Sequence, residues 1–250
     1  MDTVFEKQME VRTFETDWTG RIRIPVLLGY LQETAVGHAI QRGISVTDMR
    51  RLNLFWVVSR VHLCMERYAR YGDVVTVRSW SSTRQEIFTC REFEMVDKTG
   101  AVMARATSSW ALLSLETRRP VPLEGNLPAF PIDPRRAVAD DFASLPELAE
   151  GDISRRFDVL RRDLDVNGHV NNAVYAEWVL EAVPWELAKG ARVAELEIGF
   201  RAESHYGEQV VALCSGGADD TFIHQVRGGA DDRELARLRT RWLPLDAFGG

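Results

Sequence analysis

The sequence predicts two α+β halves in tandem, each an antiparallel sheet wrapped around one helix. Three observations predict it. First, a weak internal repeat is present. Asp17-Trp-Thr-Gly20, followed by Val26, Tyr30, Leu31 and Glu33, aligns with Asp165-Val-Asn-Gly168, followed by Val174, Trp178, Val179 and Glu181, at a constant offset of 148 residues. Tyr71-Gly-Asp73 is echoed by Tyr206-Gly-Glu208, and Ala104-Arg105 ahead of Trp110 by Ala236-Arg237 ahead of Trp242, in the same order. Second, each copy places one apolar stretch of helical spacing before several alternating, β-branched or aromatic runs. Third, the copies are separated by Thr117–Gly151, which holds six of the nine prolines (Pro120, Pro122, Pro128, Pro131, Pro134, Pro146). One apolar helix followed by antiparallel strands buries its stripe only by lying across the sheet, which is the hotdog arrangement; two copies make a tandem (double) hotdog.

The elements follow in order. A strand over about Glu6–Phe14 leads to a loop with Asp17 and Gly20, then to a helix. Pro25 sits near its first turn, Leu27, Leu28, Leu31 and Ala35 keep helical spacing, and Gly43 marks its stop. Strands are expected at about Phe55–Glu66, Val74–Ser81, Ile87–Val96 and Met103–Leu115. The second copy opens with a strand at about Ser154–Leu160. Its helix carries Val174, Tyr175, Trp178, Val179 and Ala182 and is limited by Pro184. Strands follow at about Val193–Phe200, Gln209–Cys214, Thr221–Arg227 and Leu235–Leu243. Proline density opposes regular structure, so 128–150 is expected to be a linker between an N-terminal half, 1–127, and a C-terminal half, 151–250, with a short helix near Pro146–Glu150.

Composition narrows the function classes. The 250 residues are 45% apolar and 27% charged, an ordinary globular balance. A net charge of −6 gives no whole-molecule attraction to nucleic acid or anionic membrane. The N-terminus lacks a basic n-region followed by an apolar h-region, and runs such as Leu54-Phe-Trp-Val-Val58 are too short to span a bilayer, so a cytoplasmic location is expected. Cys64, Cys90 and Cys214 are odd in number and form no CxxC pair, which suits free thiols. No cofactor and no metal site are expected: His38, His62, His205 and His224 lack ligand spacing with one another, and His62 and Cys64 read as core on one strand face. Phosphate-binding glycine loops and a GxSxG elbow are absent.

The two loop–helix junctions differ where chemistry is concerned. The first reads Asp17-Trp-Thr-Gly-Arg-Ile-Arg-Ile; the second reads Asp165-Val-Asn-Gly-His-Val-Asn-Asn172 and gathers Asn167, His169, Asn171 and Asn172. A helix cap accounts for Asn171 or Asn172 but needs only one acceptor, so it leaves Asn167 and His169 unexplained. Helix-terminal N–H groups suit an incipient oxyanion, and their positive end disfavours an imidazolium, leaving His169 able to act as a base. If the loop is extended, positions 165, 167 and 169 project to one side. A second polar island, Arg201-Ala-Glu203-Ser204-His205, ends an apolar strand. Glu203 there is either a solvated turn carboxylate or a group folded back onto the loop.

At Leu54-Phe-Trp-Val-Val-Ser-Arg, at Glu66-Arg-Tyr followed by Tyr71-Gly-Asp-Val-Val, and at Asp165-Val-Asn-Gly-His-Val-Asn-Asn followed by Tyr175, Trp178 and Glu181, the chain resembles the acyl-ACP thioesterase family. The resemblance covers nearly its whole length. It implies a double hotdog and hydrolysis of fatty acyl-ACP to free fatty acid and ACP, with acyl carrier protein as partner. It implies that Asp165, Asn167 and His169 form the catalytic loop, that Glu203 is a catalytic acid, and that the first copy forms most of the acyl-chain pocket. Many plant members carry a cysteine beside that acid; Ser204 stands here, which speaks against a cysteine acyl-enzyme. The plastid transit peptide and membrane-anchoring segment of plant members are not seen. The implied mechanism is direct attack by water, with an acyl-CoA thioesterase, a hotdog hydroxyacyl dehydratase and a non-catalytic acyl-binding module as rivals. Arg12, Arg21, Arg23, Arg118, Arg119, Arg135 and Arg136 are candidates for docking the acidic carrier, and the chain is expected to be a monomer or homodimer.

Overall fold

The computed structural model describes residues 3–217 and 219–248. The chain forms two compact units, residues 1–142 and 143–250. In the first, β1 (Val4–Glu10), α1 (Ile24–Gln41), α2 (Val46–Arg51), β2 (Leu54–Met65), β3 (Val74–Arg84), β4 (Phe88–Val96) and β5 (Val102–Ser114) build an antiparallel sheet ordered β1-β3-β4-β5-β2. In the second, β6 (Ile153–Asp158), α3 (Asn172–Leu180), α4 (Trp185–Ala188), β7 (Ala191–Phe200), β8 (Gln209–Gly216), β9 (Thr221–Gly228) and β10 (Glu234–Pro244) repeat that topology as β6-β8-β9-β10-β7. The fold is a tandem hotdog. Among the described residues no helix is long and apolar enough to cross a membrane.

Each helix lies on its own sheet for the reason its spacing gives. Ile24, Leu27, Leu28, Leu31 and Ala35 are buried along one face of α1, which packs on β1 and β3. Full burial of such an aliphatic side chain contributes about 1.5–3 kcal/mol. The helix ends in a Schellman motif. The Ile44 N–H reaches the Ala39 carbonyl and the Gly43 N–H reaches that of Ile40, with Gly43 at φ +66°. In the second unit Tyr175, Ala176, Trp178 and Val179 of α3 are buried against β8, β9 and β10. Val174, counted in the stripe, is only half-buried.

Three local readings need correction. The opening strand of each unit stops early: Glu10 and Asp158 end β1 and β6, and a 3-10 turn follows at Thr13–Glu15 and Arg161–Asp163. In each turn a carboxylate (Glu15, Asp163) reaches back to the N–H of Arg12 or Leu160, closing the chain where an extended strand was expected. Helix α2 was not foreseen, although Ser45 and Asp48 form a capping box around its first turn. Its Met49 joins Ile44, Leu54, Leu112, Leu123 and Leu127 in a small satellite core.

The helix expected near Pro146–Glu150 does not form. Five residues containing a proline cannot offset the cost of nucleation. The Leu148 backbone bonds instead to side chains of β9: its N–H donates to Gln225 Oε1 and its carbonyl accepts from Arg227. The proline-rich segment before it is fastened down rather than free. Within the first unit Trp80 Nε1 donates to the Arg135 carbonyl, and buried Glu92 accepts from both the Arg136 guanidinium and the Ala137 N–H. His62 Nδ1 lies 2.7 Å from Asp140 Oδ2, giving the strand histidine a structural partner.

Candidate active site

The second unit carries the candidate chemistry, and the first unit provides its internal control. In both, an aspartate folds the loop into an Asx turn closed by a glycine of positive φ. Asp17 Oδ1 accepts from the Thr19 N–H, the Thr19 hydroxyl and the Arg21 N–H, ahead of Gly20 at φ +77°. Asp165 Oδ1 accepts from the Asn167 N–H (2.8 Å) and the His169 N–H (3.3 Å), around Gly168 at φ +79°. The Gly168 N–H donates to the Asp165 carbonyl, and the Asp165 N–H to that of His169. Positions 165, 167 and 169 therefore do not alternate along an extended loop; a turn brings them together. Since the turn exists where Thr19 and Arg21 replace the amide and the imidazole, Asp165 and Gly168 are scaffold, and Asn167 and His169 are what the second copy adds.

That turn is stitched to the segment after β7. The Val170 N–H donates to the Ser204 carbonyl, and His169 and His205 pair as an isolated antiparallel bridge. The pairing answers the question left open for Glu203: it folds back onto the loop, with Oε1 3.3 Å from His169 Nδ1. The His169 side chain keeps 25% of its surface exposed and Glu203 42%, so water reaches both. Asn167 is exposed, and its Nδ2 donates to Asp165 Oδ2 at 3.1 Å, which orients the amide. The four site residues read from the sequence thus lie in one cluster, Asp165 with Asn167 and His169 with Glu203. Two of the N–H groups in the first turn of α3 are already engaged. Asn171, the α3 cap, takes the Ala173 N–H on its side chain and the Val174 N–H on its carbonyl.

Several supporting residues escaped the sequence reading. Ser204 is fully buried, away from solvent, and donates its hydroxyl to Glu208 Oε2 at 2.7 Å, bracing the segment that carries Glu203. Glu208 also accepts from the His205 N–H and from Arg233, whose guanidinium reaches the Glu203 carbonyl. Burial raises the Glu208 pKa, but the Ser204, His205 and Arg233 contacts outweigh it and hold the carboxyl below the usual glutamate value. Tyr175 of α3 lies beneath this segment, edge-on to Phe200, with its hydroxyl 3.4 Å from the Ala202 carbonyl, and burial pushes its pKa upward. The Tyr71-Gly-Asp73 echo was the available signal for Glu208, because Asp73 closes the matching turn on the Arg70 N–H. Cys64, Cys90 and Cys214 are free thiols, Cys90 and Cys214 buried.

Comparison with known proteins identifies the family. Residues 2–129 match the acyl-ACP thioesterase N-terminal domain, and residues 147–244 the acyl-ACP thioesterase C-terminal domain. The chain is 28% identical over 273 residues to oleoyl-acyl carrier protein thioesterase 1, chloroplastic, of Arabidopsis thaliana, covering 95% of this chain and 75% of that one. Among solved structures it is similar to an acyl-ACP thioesterase from Bacteroides thetaiotaomicron (TM-score 0.88, 25% identity, 96% of this chain and 98% of that one). It is also similar to the 12:0-ACP thioesterase from Umbellularia californica (TM-score 0.86, 28% identity, 98% of each chain). The chain belongs to the acyl-ACP thioesterase family and is a thioester hydrolase.

Proposed function

We propose that the chain hydrolyses fatty acyl-ACP to free fatty acid and ACP by direct attack of water at the cluster of Asp165, Asn167, His169 and Glu203. The observation that carries this reading is the 3.3 Å approach of His169 Nδ1 to Glu203 Oε1, with both groups open to solvent. Glu203, assisted by His169, takes a proton from water as its oxygen attacks the thioester carbonyl carbon. The Asn167 amide, turned by Asp165, donates to the carbonyl oxygen as charge builds there. The tetrahedral intermediate collapses with cleavage of the C–S bond, and the proton passes through the pair to the departing sulfur. An acidic carrier calls for a basic surface near the site. Arg135 and Arg136, candidates by sequence, are engaged with Asp133 and Glu92. In the second unit, Arg156 and Arg161, with Arg155 and Arg162 only loosely paired to Glu181 (3.7 Å) and Asp163 (3.8 Å), lie exposed in β6 and the turn leading into the active loop, and these are assigned to the carrier. The cytoplasmic location expected from the sequence belongs to the same proposal and is checked by fractionating cells.

The experiment is a thiol-release assay on acyl-ACP and acyl-CoA carrying the same chain. ACP is expected to be the better substrate, with a KM that rises with salt more steeply than that for CoA. Equal kcat/KM for both carriers, with no difference in salt dependence, would contradict the assignment.

A further inference from the structure

We propose that His169, Glu203 and His205 form a binding site for a divalent transition-metal ion of the zinc type, and that occupancy of this site switches the enzyme off. The binding proposal stands on geometry alone; the inhibition rests on the assignment of His169 and Glu203 to the chemistry. The antiparallel pairing of positions 169 and 205 brings the two imidazoles edge to face, with ring centroids 5.0 Å apart. One donor atom from each of the three side chains lies within 4.8 Å of the others. The ligands of a tetrahedral zinc ion stand about 2.0–2.2 Å from the metal, so rotations about the side-chain bonds of exposed His205 and Glu203 are enough to converge on one ion.

The donor set selects the class of metal. Two imidazole nitrogens and one carboxylate oxygen suit zinc, cobalt, nickel or copper, whereas magnesium and calcium favour all-oxygen shells. Three protein ligands leave a fourth position for water. The position after Ser204 has Arg70 as its counterpart in the first unit, where Arg21 and Arg70 form the equivalent bridge, so the donors converge only in the second unit. The consequence for catalysis is direct. A bound ion occupies lone pairs of the His169 imidazole and the Glu203 carboxylate, and neither group can then take a proton from water.

The test begins with protein stripped by a chelator and titrated with zinc chloride by calorimetry. One ion per chain is expected. Binding should weaken at least tenfold in His205→Ala and His205→Gln, the second variant guarding against a packing defect, and in His169→Ala. Cys64→Ser should bind as the unsubstituted protein does, and the cobalt form should show d–d bands without a sulfur charge-transfer band. In thiol release, zinc should inhibit reversibly, a chelator should restore the rate, and half-inhibition in His205→Gln, measured against its own metal-free rate, should need at least ten times more zinc. Zinc bound equally by the His205 variants, a thiolate band, or a rate that rises with zinc would overturn the proposal. The two proposals are told apart by these arms: absence of zinc binding with an inactive His169→Ala sinks only the metal site, whereas a fully active His169→Ala sinks the catalytic assignment and the inhibition with it and leaves the binding site to stand or fall by the calorimetry.

Discussion

Two aspartates separate folding from chemistry at the level of single residues. Asp17 and Asp165 close the same Asx turn, each accepting backbone N–H groups two and four residues on. Removing either carboxylate leaves those donors to water and should cost about 1 kcal/mol of stability. Only Asp165 also holds the Asn167 amide and sets the start of the His169 backbone. Asp165→Ala should therefore lose activity well beyond its loss of folded protein, whereas Asp17→Ala should lose stability alone. Denaturant melts alongside kcat per folded molecule check this; equal losses of kcat in both variants would deny Asp165 a positioning role. Ser204 shows the same division. Its hydroxyl serves Glu208, and the loop it braces presents Glu203.

The elements were readable in the sequence wherever one signal dominated. The α1 stripe, the Gly43 stop and the β-branched runs each reported a burial pattern, and each appears close to where it was placed. Gly43 sits at φ +66° with no atom within 4 Å of an added Cβ, so strain alone decides the effect of a substitution there. Gly43→Ala should destabilise by about 1 kcal/mol without affecting the active loop, as a shift in the denaturant midpoint will show; no shift would mean that the Schellman end is not rigid. Less was readable where side chains compete for the backbone. The strand ends at Arg12 and Leu160 gave way to carboxylate-closed turns, and Pro146–Glu150 gave its backbone groups to Gln225 and Arg227. The site followed the same rule. Asn167 and His169 stood out because the first copy lacks them, while spacing left Glu203 ambiguous and only the family resemblance pointed to it; the pairing of 169 with 205 sets it beside His169, a long-range contact that sequence spacing does not encode.

Across the whole molecule, acid sensitivity is built into both units. His38 in the first and His224 in the second are fully buried, and burial is the leading cause lowering each pKa to about 3. Arg91 and Arg42 push His38 in the same direction. Between pH 3 and the ordinary histidine value of 6.5 the unfolded chain binds protons that the folded chain refuses. Stability is therefore intact above 6.5 and falls as the pH drops, by up to ~1.4 kcal/mol per pH unit for each such group. Replacing His224 with Gln should flatten the decline between pH 6.5 and 4 by roughly one proton's worth, measured as denaturant stability at a series of pH values. An unchanged slope would mean that His224 protonates inside the fold.

The chemistry, however, depends on one contact within the second unit, and thiol release from acyl-ACP by His169→Ala and Glu203→Gln examines it most directly. Both proteins should fold with melting temperatures near that of the unsubstituted chain, and turnover should fall by about 10²–10⁴-fold, the usual worth of a positioned general base. Undiminished turnover in either variant would contradict the assignment of water activation to the His169–Glu203 pair.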